Sequence, residues 1–127
     1  MSRPRITDPT PTLATHTRTG RRGEDRVATL LQSRGATLLA RNLRLPAGEA
    51  DILARTPDGI GLLVEVKATS GSYALLPRID GRKRNRLFAL AEEAATAFDL
   101  DRIEVHIATV ALHPNHERIT LHQLEPW

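Results

Sequence analysis

The 127 residues hold 18 Lys and Arg against 15 Asp and Glu, with 40% apolar and 26% charged residues, the profile of one compact domain with a buried core. Cysteine is absent, which excludes disulfides, thiolate zinc sites, iron–sulfur clusters and thiol nucleophiles together. The four aromatics (Tyr73, Phe88, Phe98, Trp127) are too few for a base-stacking platform, and no apolar run is long enough for a membrane span or a secretory signal, so a cytoplasmic protein is expected.

In chain order, residues 1–18 carry Pro4, Pro9 and Pro11 with scattered Thr and no apolar period, which predicts a flexible tail ahead of a single domain over 19–127. From about Gly20 to Arg34, Val27, Ala28, Leu30 and Leu31 follow a helical period, with Gly35 as the stop. Thr37–Asn42, Ala50–Arg55 and Leu62–Lys67 read as three strands, broken at Pro46-Ala47-Gly48 and Pro57-Asp58-Gly59. A second helix from about Gly81 to Phe98 puts Leu87, Leu90, Ala91, Ala94 and Phe98 on one stripe, and Ile103–Ile107 and Ile119–Leu124 form a closing hairpin. The order α-β-β-β-α-β-β predicts an α/β fold with a mixed sheet of four or five strands, one pair parallel across the helical connection.

Strand parity brings charged groups together. Glu65 and Lys67 share one face of their strand, opposite Val64 and Val66, and Asp51 shares a face with Leu53 on the preceding one. A short turn between these strands places Asp51 beside Glu65, where two carboxylates repel unless a divalent cation such as Mg²⁺ lies between them. Glu24 precedes Val27, Ala28 and Leu31 by three, four and seven residues, so an acid lies on the apolar stripe of the first helix. Plainer readings exist: Glu24 complementing the helix dipole, and Lys67 ending a strand as the ion-pair partner of Glu65. A basic block, Arg78, Arg82, Lys83, Arg84 and Arg86, is the size of a phosphate-contact patch or of an ordinary solvated face. His113 and His116 in the hairpin turn, with His122, offer a weaker metal site that lacks Cys.

Five segments, Gly23-Glu24, Leu39-Ala40-Arg41-Asn42, Gly48-Glu49-Ala50-Asp51-Ile52-Leu53-Ala54, Val64-Glu65-Val66-Lys67 and Lys83-Arg84-Asn85-Arg86-Leu87, resemble the successive motifs of the YraN-like family of small bacterial proteins. That family is similar to the PD-(D/E)xK nucleases, above all to the archaeal Holliday-junction resolvases, and the resemblance runs from about Gly20 to Ala97. It implies a restriction-endonuclease-like core and an active site of Glu24, Asp51, Glu65 and Lys67. Asp51, Glu65 and the Val66 carbonyl would hold Mg²⁺ or Mn²⁺, with Glu24 binding directly, through water or to a second ion, and Lys67 would orient the attacking water. Arg82, Lys83 and Arg86 would hold flanking phosphates of DNA, whether branched, duplex or single-stranded, without reading sequence. Ala50 stands where the family usually has Ile, and the Pro that precedes the Asp in the superfamily is missing, which keeps Glu49 as an alternative carboxylate. The implied activity is metal-dependent, structure-selective DNA hydrolysis in repair or recombination, with room for a homodimer; the alternative is a DNA-binding module that keeps the fold without cutting.

Overall fold

A computed structural model describes residues 11–70 and 79–126. The elements are α1 (Pro11–Ser33), β1 (Thr37–Leu45), β2 (Gly48–Arg55), β3 (Gly61–Thr69), α2 (Gly81–Ala97), β4 (Ile103–His113) and β5 (His116–Leu124). All five strands form one sheet in sequence order, antiparallel except for the parallel β3–β4 pair that α2 connects. This is the mixed α/β architecture expected from the sequence.

Both helices end as their sequences dictate. At the end of α1, Gly35 takes φ +92, Gly35 N–H donates to Gln32 O and Ala36 N–H to Leu31 O, the paired bonds of a Schellman motif that needs a left-handed residue. Its start differs from expectation: the helix runs from Pro11, where proline's fixed φ and missing N–H suit a first helical position, and not from near Gly20. Apolar periodicity could not reveal that first stretch because it is rich in Thr and Arg. The remainder of the expected tail, residues 1–10, lies outside the described residues, as does Arg78. Asp80 caps α2 by accepting from the Lys83 N–H at 2.8 Å, and Asp99 closes it in a left-handed conformation (φ 55).

The helices cover opposite faces of the sheet. Val27, Ala28 and Leu31 of α1 bury Ile52, Ala54, Val64, Val66, Ala108 and Val110, whereas Leu87, Leu90, Ala91 and Ala94 of α2 bury Leu53, Leu63, Val105 and Ile107. The central strand β3 is therefore apolar on both faces along most of its length, and its polar exceptions stand out. Truncating a fully buried leucine of the α2 layer, such as Leu53 or Leu90, would cost about 2–5 kcal/mol. Among the described residues no helix is long and apolar enough to cross a membrane.

One irregularity positions the site. Asn42 of β1 has φ +51, and the β1–β2 pairing passes from Arg41↔Ile52 to Leu43↔Ala50 without an Asn42 pair. Ala50 and Leu53 are three residues apart, yet both belong to the α2 layer. The pleat is thus broken at Asp51. On its other side, the β2–β3 ladder ends at Ile52↔Val64, so Asp51 and Glu65 stand where the two strands part.

Candidate active site

Parting strands leave backbone groups without ladder partners, and burying an unpaired N–H is costly. Here the Asp51 side chain takes over: its Oδ2 accepts from the Val66 N–H at 2.8 Å. That bond turns the Asp51 carboxyl toward β3, into contact with the Glu65 carboxyl. Burial and the neighbouring Glu65 charge push Asp51 up to about 7, against which the Val66 N–H pulls only partly. Two carboxyls so placed repel each other unless a cation lies between them.

Lysines approach the pair from two elements. Lys67 Nζ, on β3 itself, lies 3.3 Å from Glu65 Oε2, and Lys83 Nζ, in the first turn of α2, lies 3.8 Å from the same oxygen. Burial, with the Lys67 charge second, lowers the Lys83 pKa from its ordinary value. Of the residues expected to hold flanking phosphates, Arg82 and Arg86 are exposed, but Lys83 turns inward. Helix phase carries the signal for this: Lys83 precedes Leu87 and Leu90 by four and seven residues, the relation that marked Glu24 on α1.

From the opposite layer, α1 brings Glu24. Gly23 allows the approach, since a Cβ there would stand 2.6 Å from the Ala68 Cβ of β3. Glu24 Oε1 lies 3.5 Å from Nη2 of Arg41, which also holds Asp25 Oδ1 at 2.8 Å. Burial raises the Glu24 pKa, Arg41 opposes the rise, and the Glu24 charge in turn contributes to the shift at Asp51. Arg41 is a site residue the sequence reading left without a role. Its cross-strand partner, Ile52, packs in the α1 layer, a pairing that the sequence alone does not show.

Asp51, Glu65 and Lys67 therefore lie together, and Glu24 stands near enough for its charge to contribute to the shift at Asp51. Glu49 does not join them: it is paired with Arg44 at 3.7 Å and touches the site only through its effect on Glu24. Among the described residues no three His, Cys, Asp or Glu side chains gather as a ready ligand set, so the carboxylate pair is Asp51 with Glu65, while Glu24 is held by Arg41. The histidines do not assemble either. His113 and His116 stack on each other with centroids 4.6 Å apart, and His122 Nε2 lies 3.4 Å from Thr109 Oγ1. A hard divalent cation fits the pair: both donors are oxygens, and their mutual repulsion shows in the raised Asp51.

These features define a mixed α/β protein whose parted central strands carry an acid-x-Lys centre fed by a helix from each layer. The chain belongs to the uncharacterised protein family UPF0102, whose pattern matches residues 23–108, a span containing every site residue described above. It is 41% identical to a UPF0102 protein of Roseiflexus castenholzii over 103 residues, 76% of this chain and 82% of that one. It is 30% identical to one of Desulforamulus reducens over 101 residues, 77% and 83% of the two chains. With a UPF0102 protein of Campylobacter lari the match is 37% over 73 residues, 58% of this chain and 64% of the relative, a little under two thirds of its length. Solved structures of similar shape include an EndoMS complex with dsDNA (TM-score 0.43, 18% identity, 67% of this chain and 34% of that one). Another is SfsA of Pyrococcus furiosus in complex with Ca²⁺ (TM-score 0.40, 17% identity, 88% and 64%).

Proposed function

We propose that this protein is a divalent-metal-dependent nuclease that hydrolyses DNA phosphodiester bonds and selects its substrate by shape. The observation that carries the reading is the contact between the Asp51 and Glu65 carboxyls at the parting of β2 and β3, with Lys67 two residues further on the same face. Asp51, Glu65 and the Val66 carbonyl would hold Mg²⁺ or Mn²⁺. Bound there, the cation supplies Lewis-acid stabilisation of phosphoryl charge and makes water a stronger acid.

The chain's own groups do the rest. Lys67, the more exposed of the two lysines, orients the attacking water and opposes the charge that grows on the phosphoryl oxygens. The water oxygen bonds to phosphorus as the bond to the leaving sugar oxygen breaks. The proton lost by the water passes to solvent, and the departing oxygen takes one up. Arg82 and Arg86, exposed in the first turns of α2, hold flanking phosphates; such contacts carry no sequence information.

Incubation with single-stranded, duplex, flapped and four-way DNA, in EDTA, Mg²⁺ and Mn²⁺, tests this directly. Cleavage of at least one form in either metal, abolished by EDTA and by Asp51→Ala or Glu65→Ala, is expected. A second reading, a DNA-binding module that does not cut, is favoured by one feature: Glu24 is already opposed by Arg41, and Glu65 by Lys67 and Lys83. Binding that is indifferent to metal, with every DNA form intact, would establish that reading instead.

A further inference from the structure

Lys83 occupies a place that a flanking-phosphate contact does not explain. Such contacts are made by exposed side chains, as Arg82 and Arg86 are, whereas the Lys83 side chain retains 24% exposure and its Nζ shares Glu65 Oε2 with Lys67. Placing two ammonium groups on one carboxylate oxygen is a poor device for stability alone, because Glu65 needs a single partner and the cations repel. Nor is the placement loose. The Asp80 cap fixes the Lys83 backbone, and the stripe through Leu87 and Leu90 fixes the rotation of α2. Lys67 and Lys83 thus flank Glu65 from strand and helix.

We infer that Lys83 is a second catalytic lysine of the reacting centre, one that leaves Glu65 when a divalent cation takes that carboxylate and then donates hydrogen bonds to a non-bridging oxygen of the phosphate being cleaved. The inference rests on the nuclease reading and deepens it. A donor held at the reacting phosphoryl group by a capped helix is already in position before charge develops, which is how such groups lower a barrier. Glu65 is the exchange point: a cation and Lys83 compete for its oxygen.

The test uses the full chain and the DNA form it cleaves, comparing Lys83→Ala, Lys83→Gln and Lys83→Arg with the double variant Arg82→Ala/Arg86→Ala. Both neutral Lys83 variants should lose about 100-fold in kcat, with KM and the salt dependence of DNA binding in Ca²⁺ nearly unchanged, and Lys83→Arg should recover part of the loss. The double arginine variant should instead flatten the slope of log K against log salt by about 0.9 for each lost phosphate contact and raise KM more than it lowers kcat. A readout independent of turnover is Mn²⁺ binding to the protein alone: it should tighten severalfold in Lys83→Ala and Lys83→Gln, since Glu65 is no longer shared. Full kcat with a shallower salt slope in the neutral variants would make Lys83 a flanking-phosphate contact, and unchanged kcat and Mn²⁺ affinity would make it structural; either overturns the inference alone. Failure of the unsubstituted protein to cut any DNA overturns the nuclease reading, and this inference with it.

Discussion

The Asp51 carboxylate accepts the Val66 N–H at 2.8 Å across the gap where β2 and β3 cease to pair, so one side chain both satisfies the parted backbone and faces Glu65. The arrangement stores repulsion. Burial and the Glu65 charge raise Asp51 from 3.8 to about 7, and the sign of the resulting pH dependence follows. Between these values the folded protein holds a proton that the unfolded chain has released, so metal-free stability falls as pH rises from about 4 to about 7. Urea midpoints of the metal-free protein across that range should show the fall, of the order of 2 kcal/mol once solvent screening is allowed for. Asp51→Asn should flatten the profile and be the more stable protein above pH 7. A stability that rises through the same window would mean that the two carboxyls do not interact.

A cation that relieves this repulsion should stabilise the fold. At about 100 times its dissociation constant, Mg²⁺ or Mn²⁺ would add about 2.7 kcal/mol, read as a rise in Tm that grows with pH as Asp51 ionises. Glu65→Ala should abolish the rise, and so should Asp51→Ala. A metal-induced shift that survives both substitutions would place the cation elsewhere on the protein.

Much of this was legible in the sequence because period-2 and period-3.6 patterns report which face a residue takes. Glu65 and Lys67 followed from parity with Val64 and Val66, and Glu24 from its phase with Val27 and Leu31. Lys83 obeys the same helical rule, but its place in a run of basic residues drew it into the surface patch, and composition outweighed phase. Arg41 and Asn42 were hidden for a different reason. The left-handed Asn42 and the broken pleat at Asp51 are tertiary events, since alternation alone would send Ala50 to the α1 layer and not to the α2 layer where it packs. A polar first stretch likewise concealed the start of α1, because a helix without an apolar stripe leaves no period to read.

Gly23 sets how closely α1 approaches β3. With a Cβ there 2.6 Å from that of Ala68, Gly23→Ala must push the helix away from the strand, which outweighs the about 1 kcal/mol that alanine gains within a helix. The expected outcome is a net loss of stability together with a larger loss of cleavage, because Glu24 moves with the helix. Ala68→Gly should restore both in the double variant. Additive losses in that pair would show that the contact at Ala68 is not what sets the spacing.

Arg41 should matter through Glu24. The same Nη2 lies 3.5 Å from Glu24 Oε1 and 2.8 Å from Asp25 Oδ1, but Asp25 has more than half its side chain in water and Glu24 only 17%, so the dependence on Arg41 falls mainly on Glu24. Burial already raises the Glu24 pKa and Arg41 holds it back; without the guanidinium it rises further, and the native state binds still more protons than the unfolded chain. Arg41→Met should therefore cost little in acid, where Glu24 is protonated, and about 1 kcal/mol above neutrality, after allowance for the partial exposure of both groups. Repeating the substitution in a Glu24→Gln background removes the charge that Arg41 opposes, so the pH-dependent part of the cost should vanish, while an Asp25→Ala background should leave it in place. Urea unfolding of the four-member cycle at acid and alkaline pH measures this coupling. An equal cost in the parent and Glu24→Gln backgrounds at both pH values would show that Arg41 acts by packing against β1 and β2 and does not hold Glu24.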